Sequence, residues 1–278
     1  MPDQNTSTAI TFIGGGTMAS ALIGGLLQRG YAASQFHVVE ISDSARDQLE
    51  KKLGVRSSAA LSGHTLAADV VVLAVKPQQL RDAARSLAPL LRNQLVLTIA
   101  AGVRIGDLSR WLGGYGRIAR AMPNTPALVL AGASAIYATP EVDGTQRSQA
   151  EHILACVGSV IWLDDEAQLD AVTAVSGSGP AYVFYFMEAM EEAAHQLGLN
   201  ANQAKRLVLD TFAGAAKLAS ASGEPAALLR ARVTSKGGTT ERALAEFEAA
   251  RVKQQIVFAV KAAAERSREL GDAFGQSA

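Results

Sequence analysis

The feature that most constrains this chain is a glycine turn set between a short apolar strand and an amphipathic helix. Residues 9–13 read Ala-Ile-Thr-Phe-Ile, and Gly14, Gly15 and Gly16 follow at once. Apolar residues then recur at helical spacing over 18–28, so the local order is strand, turn, helix. Within it, Gly14-x-Gly16-x-x-Ala19 has the spacing that lets a pyrophosphate lie against backbone. The first glycine makes the tight turn, the second admits the phosphates, and a small third residue lets helix and strand pack closely. The start of the helix adds amide donors for an anion. A chain built on this turn needs a sheet that presents it at a strand's carboxyl end.

Further strands are predicted at 36–41, 69–75, 95–100, 116–122, 133–137 and 160–163, most of them separated by helical stretches. This alternation predicts a largely parallel, doubly wound sheet, because parallel neighbours need crossover connections. After about residue 165 alanine, leucine and glutamate take over, and helices are predicted over 180–198, 201–222, 224–233, 239–248 and 251–271. The fold class is therefore α/β, an N-terminal Rossmann-type sheet over 1–165 followed by an all-helical domain over 166–278. Two domains also suit 278 residues. Asn200 and Gly223 fall at helix breaks, and Pro225 suits an early helical position. The apolar run 181–187 is too short to span a bilayer and is followed by Glu188, Glu191 and Glu192, which predicts a buried helix. The face formed by Val208, Phe212, Ala215 and Ala216 suits either internal core or a subunit interface.

Composition narrows the partners. Apolar residues make up 49%, charged residues 19%, and 26 basic side chains balance 26 acidic ones, which favours neither disorder nor an electrostatic nucleic-acid surface. A small-molecule partner is expected, with no nucleic acid and no membrane. Cys156 is the single cysteine; it rules out an internal disulfide framework and fits a reducing compartment, so a cytoplasmic location is expected. Residues 1–8 lack the pattern of a secretory signal and read as a loose tail. His37, His64, His152 and His195 show no metal-ligand spacing, and no metal is expected. Cys156, beside Ile153 and Val157, reads as a buried small hydrophobe. Trp111 and Trp162 read as packing residues, and the basic segment 251–253 as a solvated helix face.

Several strand ends extend the turn's chemistry. After the second strand, Glu40 suits the ribose hydroxyls of NADH, whereas Ser42 with Arg46 suits the extra phosphate of NADPH; a solvated Glu40–Arg46 pair is the bland alternative. Ala74-Val75-Lys76-Pro77 ends one strand with a lysine and a strand-stopping proline, and Ala100-Ala101-Gly102 ends the next with small residues. Pro123-Asn124-Thr125-Pro126 makes a stiff loop after a fifth strand. A second motif, Ser235-Lys236-Gly237-Gly238-Thr239-Thr240, runs into the apolar pattern of Ala243, Leu244 and Phe247. Its amides and hydroxyls gather at a helix start, which suits a carboxylate, or simply a threonine cap. Residues 175–182 form a glycine-serine turn entering another helix, with Ser178 as a possible cap.

Taken in order, Ile-Gly-Gly-Gly-Thr-Met, Ala-Val-Lys-Pro-Gln, Ile-Ala-Ala-Gly-Val, Arg-Ala-Met-Pro-Asn-Thr-Pro-Ala, Val-Ser-Gly-Ser-Gly-Pro-Ala-Tyr and Gly-Gly-Thr-Thr resemble the pyrroline-5-carboxylate reductases over residues 10–269. The resemblance implies reduction of 1-pyrroline-5-carboxylate to L-proline by NADPH, with NADH also possible. It also implies a helical dimerisation domain and a homodimer or dimer-based decamer. Cofactor contacts are implied at Gly14, Gly15, Gly16, Thr17, Met18, Ser42, Ala74, Val75, Lys76, Pro77, Ala100, Ala101 and Gly102. Substrate contacts are implied at Glu166, Ser235, Gly238, Thr239 and Thr240, with Thr240 the catalytic candidate. Three residues depart from the family's pattern: Glu40 where small or uncharged residues are common, Lys236 for a proline, and Arg232 for a frequent asparagine.

Reducing a cyclic imine needs a hydride at carbon and a proton at nitrogen. A substrate that arrives protonated needs no strong enzyme acid, which fits a hydroxyl-rich motif without histidine. Orientation of the substrate carboxylate by Thr239 and Thr240 is then the expected contribution, with Thr240 bonding the ring nitrogen or relaying a water. Another imine or 2-hydroxyacid reductase, or a non-catalytic NADPH sensor, would share the cofactor half.

Overall fold

The computed structural model describes residues 8–63 and 65–276; the segment 1–7 and His64 lie outside the described residues. Thr8, at the end of the expected tail, is already buried. Eight strands form one sheet: β1 (Ile10–Ile13), β2 (Phe36–Val39), β3 (Arg56–Ser58), β4 (Val70–Leu73), β5 (Leu95–Thr98), β6 (Ile118–Met122), β7 (Gly132–Ala138) and β8 (Gly158–Trp162). Their order is β3-β2-β1-β4-β5-β6-β7-β8. The helices are α1 (Thr17–Gln28), α2 (Asp43–Leu53), α3 (Pro77–Leu87), α4 (Ile105–Trp111), α5 (Gly144–Ala155) and α6 (Gln168–Val172), then α7 (Gly179–Gln196), α8 (Ala201–Ser222), α9 (Ala226–Arg232), α10 (Thr239–Ala249) and α11 (Val252–Gln276).

The central strands are continuous apolar runs because helices cover both faces of the sheet. Along β4, Val70 and Val72 join the core containing Phe12, Leu22 and Phe36, whereas Val71 and Leu73 join the opposite core with Leu80, Leu87 and Leu108. All neighbouring strands are parallel except β6 and β7, which pair antiparallel with Arg120 opposite Tyr137. The short link between them holds only a five-residue 3₁₀ helix over Thr125–Val129, and a parallel return needs a longer crossover. Strand β3 has no signal in the sequence: it is three polar residues, Arg-Ser-Ser, paired on one side only.

By compactness the chain divides into two units, Met1–Ser178 with Ala263–Ala278, and Gly179–Ala262. In the second unit α8 starts at a reciprocal cap: Gln203 N donates to Asn200 Oδ1 at 3.1 Å and Asn200 N to Gln203 Oε1 at 3.0 Å. It ends at Gly223, which is left-handed with φ +66°. The expected helix over 251–271 instead starts at Val252, because Arg251 takes φ +53°, and it runs on to Gln276. Arg251 is thus a turn residue and not part of a helix face.

Helix α7 corrects a further expectation. It forms as predicted, but none of its residues is buried within the protomer; Phe184 and Tyr185 are 62% and 71% exposed. Ala204 and Val208 of α8 are buried, Phe212 is half-buried, and Ala215 and Ala216 are exposed. A unit built from so few helices leaves apolar faces outward, a signature of an interface.

One glycine on the last strand yields a test. A β-carbon on Gly158 would stand 1.9 Å from the Gly132 carbonyl oxygen across the β7–β8 pair. Gly158→Ala is therefore expected to cost about 3 kcal/mol, read as a lowered urea midpoint at unchanged m-value.

Candidate active site

Strand β1 lies between β2 and β4, so helices leave its two sides in opposite directions and a crevice opens at the carboxyl ends of these strands. Gly14, at φ +97°, turns the chain there, and its N–H donates to the Val39 carbonyl at 2.8 Å. A β-carbon on Gly14 would lie 2.8 Å from the Ala74 oxygen, and one on Gly15 would lie 2.5 Å from Leu49 Cδ1. Gly14 is required by the protein's own backbone, whereas a side chain at Gly15 needs only the Leu49 tip to move. Gly16 is different: a β-carbon there meets nothing within 4 Å, so its missing side chain leaves room on the ligand's side. Gly16 is also the N-terminal cap of α1, which has no side-chain cap. The exposed first turn, with Thr17 and half-buried Met18, thus keeps its amides open to phosphate, and buried Ala19 fits against the strand. These features suit a dinucleotide.

A cavity of about 570 Å³ opens beside the turn, lined by Gly14, Val39, Glu40, Ile41, Leu61 and Val75, together with Gln79, Asp82 and Ala83 of α3. The α3 residues and the 59–61 segment carried no motif; only the topology brings them to the strand ends. Lys76 is exposed at the N-terminal cap of α3, and Pro77 opens that helix. A second cavity, about 550 Å³, lies at the amino ends of β7 and β8 beside Gly25, Arg29 and Cys156. It faces the carboxyl ends of α1 and α5, whose carbonyls repel a phosphate.

The end of β2 differs from both sequence readings. The Glu40 carboxylate accepts hydrogen bonds from Gly15 N and Ser42 N, each at 2.9 Å. Arg46 does not pair with that carboxylate. It donates to the Glu40 main-chain oxygen at 2.7 Å and pairs with Asp43. Ser42 caps α2 by accepting from Ala45 N at 3.4 Å. The cation that sequence offered for a phosphate is already engaged, and Glu40 and Asp82 leave the cavity wall acidic.

Beyond β5 the expected contacts Ala100, Ala101 and Gly102 form a tight loop, with Gly102 buried at φ +79° and Ala100 N donating to Thr98 Oγ1 at 3.3 Å. Glu166 sits behind this loop. Its Oε1 accepts from Ile105 N, the first residue of α4, at 2.8 Å and from Arg120 Nη1 at 2.7 Å. Arg120 is buried. One oxygen of the Glu166 carboxylate thereby ties α4 to β6, a use that its position in the sequence did not reveal.

Residues Thr173–Gly177 form a π-helical turn, with Ser178 N donating to the Thr173 oxygen at 2.8 Å; such turns mark functional places in helices. Ser178 is thus not an N-cap. Asn124 ties the Pro123–Pro126 loop to this turn: its Nδ2 donates to Ser176 O and Oγ, both at 3.2 Å, and its Oδ1 accepts from Ala133 N at 2.8 Å.

In the second unit Gly238 caps α10 without a side-chain bond. Gly237 N donates to Glu241 Oε2 at 2.7 Å and Gly238 N to the Ser235 oxygen at 3.0 Å. The amides left for an anion are those of the first helical turn, from exposed Thr239 and half-buried Thr240 onward. A β-carbon on Gly238 would lie 2.6 Å from Ser235 Oγ and 3.1 Å from the Ser235 carbonyl oxygen, so a side chain there would turn the serine hydroxyl aside and crowd the turn. Arg232 forms a bidentate pair with Glu224.

The remaining candidates serve structure. Burial pushes the Cys156 thiol up to about 12, and its Sγ donates to the Ile153 oxygen at 2.8 Å, so it is inert as a nucleophile. Trp111 is buried; Trp162 donates to Glu151 and lies under the Arg147 guanidinium. His37 bonds Ser58 and His195 bonds the Leu199 oxygen. Among the described residues no cluster could hold a metal, and no helix is long and apolar enough to cross a membrane.

A largely parallel sheet with a glycine turn at its switch point, joined in one chain to a helical unit, defines the class: a nicotinamide-dependent oxidoreductase. Residues 9–102 match the family described as NADP oxidoreductase, coenzyme F420-dependent, and residues 166–270 match pyrroline-5-carboxylate reductase dimerisation. A pyrroline-5-carboxylate reductase of Pseudomonas aeruginosa is 46% identical over 271 residues, covering 96% of this chain and 98% of that protein. A solved pyrroline-5-carboxylate reductase from Coxiella burnetii is similar at TM-score 0.90 and 42% identity, covering 95% of this chain and 98% of the other. The Plasmodium falciparum enzyme, solved with NADP bound, is similar at TM-score 0.84 and 30% identity, with 96% and 99% covered. The chain belongs to the pyrroline-5-carboxylate reductase family.

The pair of buried Arg120 with half-buried Glu166 gives a prediction. Arg120→Met strands the Glu166 carboxylate beside the α4 start and is expected to destabilise the protein by about 3 kcal/mol. Arg120→Met combined with Glu166→Met should recover most of the loss in thermal unfolding.

Proposed function

We propose that this protein reduces 1-pyrroline-5-carboxylate to L-proline with NADPH and also with NADH, as the last step of proline biosynthesis. The observation that carries the substrate half is the open first turn of α10, where Gly238 supplies no side-chain cap and Thr239 and Thr240 follow. A planar carboxylate suits two adjacent amides and two hydroxyls at a positive helix end. Thr239, with Ser235 and Gly238 shaping the turn, holds the carboxylate. Thr240 fixes the ring nitrogen by a hydrogen bond, directly or through a water. No acid is needed in this cradle because the iminium form brings its own proton, and orientation supplies the acceleration. Glu166 holds the α4 start through one carboxylate oxygen, and its other oxygen is the acidic contact for the substrate.

The bound nicotinamide supplies the hydride. Gly16, Thr17 and Met18 hold the pyrophosphate, and Ala74, Val75, Lys76 and Pro77 with Ala100, Ala101 and Gly102 border the rest. Ser42 and Lys76 are the groups left for a 2′-phosphate, and Glu40 opposes it by like charge. NADH use follows from that opposition. The functional division is 1–165 for cofactor and 166–278 for substrate and dimerisation. The outward apolar faces of α7 and α8 are covered in a homodimer, from which a decamer is built. A lone buried cysteine suits the cytoplasm.

The test is oxidation of NADPH and NADH with pyrroline-5-carboxylate, with proline identified as the product. Thr240→Ala should lower kcat/KM by about 100-fold, and unchanged turnover and affinity would remove Thr240 from the mechanism. Glu40→Ser should move the NADPH-to-NADH ratio of kcat/KM toward NADPH by about tenfold, the worth of ~1.4 kcal/mol. A ratio that stays put would clear Glu40 of the choice.

A further inference from the structure

The last turns of α11 belong to the first compact unit, far along the chain from everything else there. They meet the loop after β5 backbone to backbone. A β-carbon on Gly271 would lie 3.2 Å from the Gly102 oxygen and 3.1 Å from Arg104 Nε; one on Gly102 would lie 3.3 Å from the Phe274 ring and 3.5 Å from Leu270 Cβ. Two facing glycines thus allow an approach that a β-carbon on either would crowd by a few tenths of an ångström. Polar contacts flank this seat: Arg104 pairs with Asp272 at 2.7 Å, Arg110 Nη2 donates to the Gly275 oxygen at 3.0 Å, and buried Ser267 donates to Asp170 Oδ1 at 2.6 Å. Phe274 packs on the core formed by Val103, Ile105 and Leu108.

We infer that the end of α11 is a positioning element for the cofactor: Gly271 and Phe274 hold Gly102 in its left-handed turn, and thereby set residues 100–102 for nicotinamide dinucleotide binding. The inference rests on the reading of residues 100–102 as cofactor contacts. A left-handed loop fixed on one side by Glu166 at the α4 start and on the other by a helix backbone is pre-organised, and pre-organisation raises affinity by lowering the ordering cost of binding. Phe274 and Gly271 touch no ligand in this role; they act through Gly102.

The two residues permit opposite perturbations. Phe274→Ala removes the support, whereas Gly271→Ala presses a methyl on the Gly102 carbonyl while favouring the helix, since alanine is the better helix former. Three readouts on the full-length protein decide the matter: amide exchange of the 100–104 segment without cofactor, NADH affinity by nicotinamide fluorescence, and Tm. In the parent protein NADH should slow exchange of 100–104. If it does not, the reading of this loop as a cofactor contact fails first, and the inference with it. Given that protection, Gly271→Ala should weaken NADH binding by about fivefold with Tm unchanged or raised, and Phe274→Ala should speed cofactor-free exchange of 100–104 and weaken binding similarly. Phe274→Leu should restore both. Unchanged affinity in Gly271→Ala and Phe274→Ala, or a loss that follows Tm alone, would overturn the inference.

Discussion

The structure depends on one close approach, that of the Gly14 backbone to the carbonyl at the end of β4. Gly14 donates to Val39 on one side, and on the other it lies where a β-carbon would meet the Ala74 oxygen. Three strand ends, β1, β2 and β4, are therefore drawn to one point. Helices α1 and α3 begin there, so two helix amino ends and a sheet crevice share a small volume. Everything asked of the cofactor half follows: open amides at Gly16, a cavity floored by backbone, and side chains from α3 that no motif announced.

How much of this was legible depends on how local the cause is. The central strands and α8 could be read because apolar runs, Asn200 and Gly223 act over a few residues. Strand β3 could not, since Arg-Ser-Ser becomes a strand only through its pairing with β2. The antiparallel turn of β7 was hidden because alternation of strand and helix does not report the direction of each return. In the site, the glycine positions were legible, but the partners of their neighbours were not. Glu40 and Arg46 stand six residues apart and invite a pair, yet the carboxylate is taken by two amides and the guanidinium by a main-chain oxygen and Asp43. Glu166 is drawn to Arg120 across 46 positions, and distance of that kind leaves no trace in spacing.

The second unit shows the reverse relation between sequence and burial. The 181–187 run is apolar enough to predict a core helix, and it forms a helix with Phe184 and Tyr185 outward. Hydrophobicity reports that a face will be covered, not which chain covers it. The match of residues 166–270 to a dimerisation family gives that excess of apolar surface its meaning.

The division of the chain has a consequence for its synthesis. The first unit includes residues up to Ser178 and then waits for Ala263–Ala278. On a ribosome, the sheet and its amino-terminal helices emerge long before the segment that seats Gly102, with all of the second unit made in between. Domains otherwise tend to fold in the order of their emergence. Here a unit whose sheet appears first is completed only after all of the second unit has been made, so the loop after β5 stays without its seat throughout that interval.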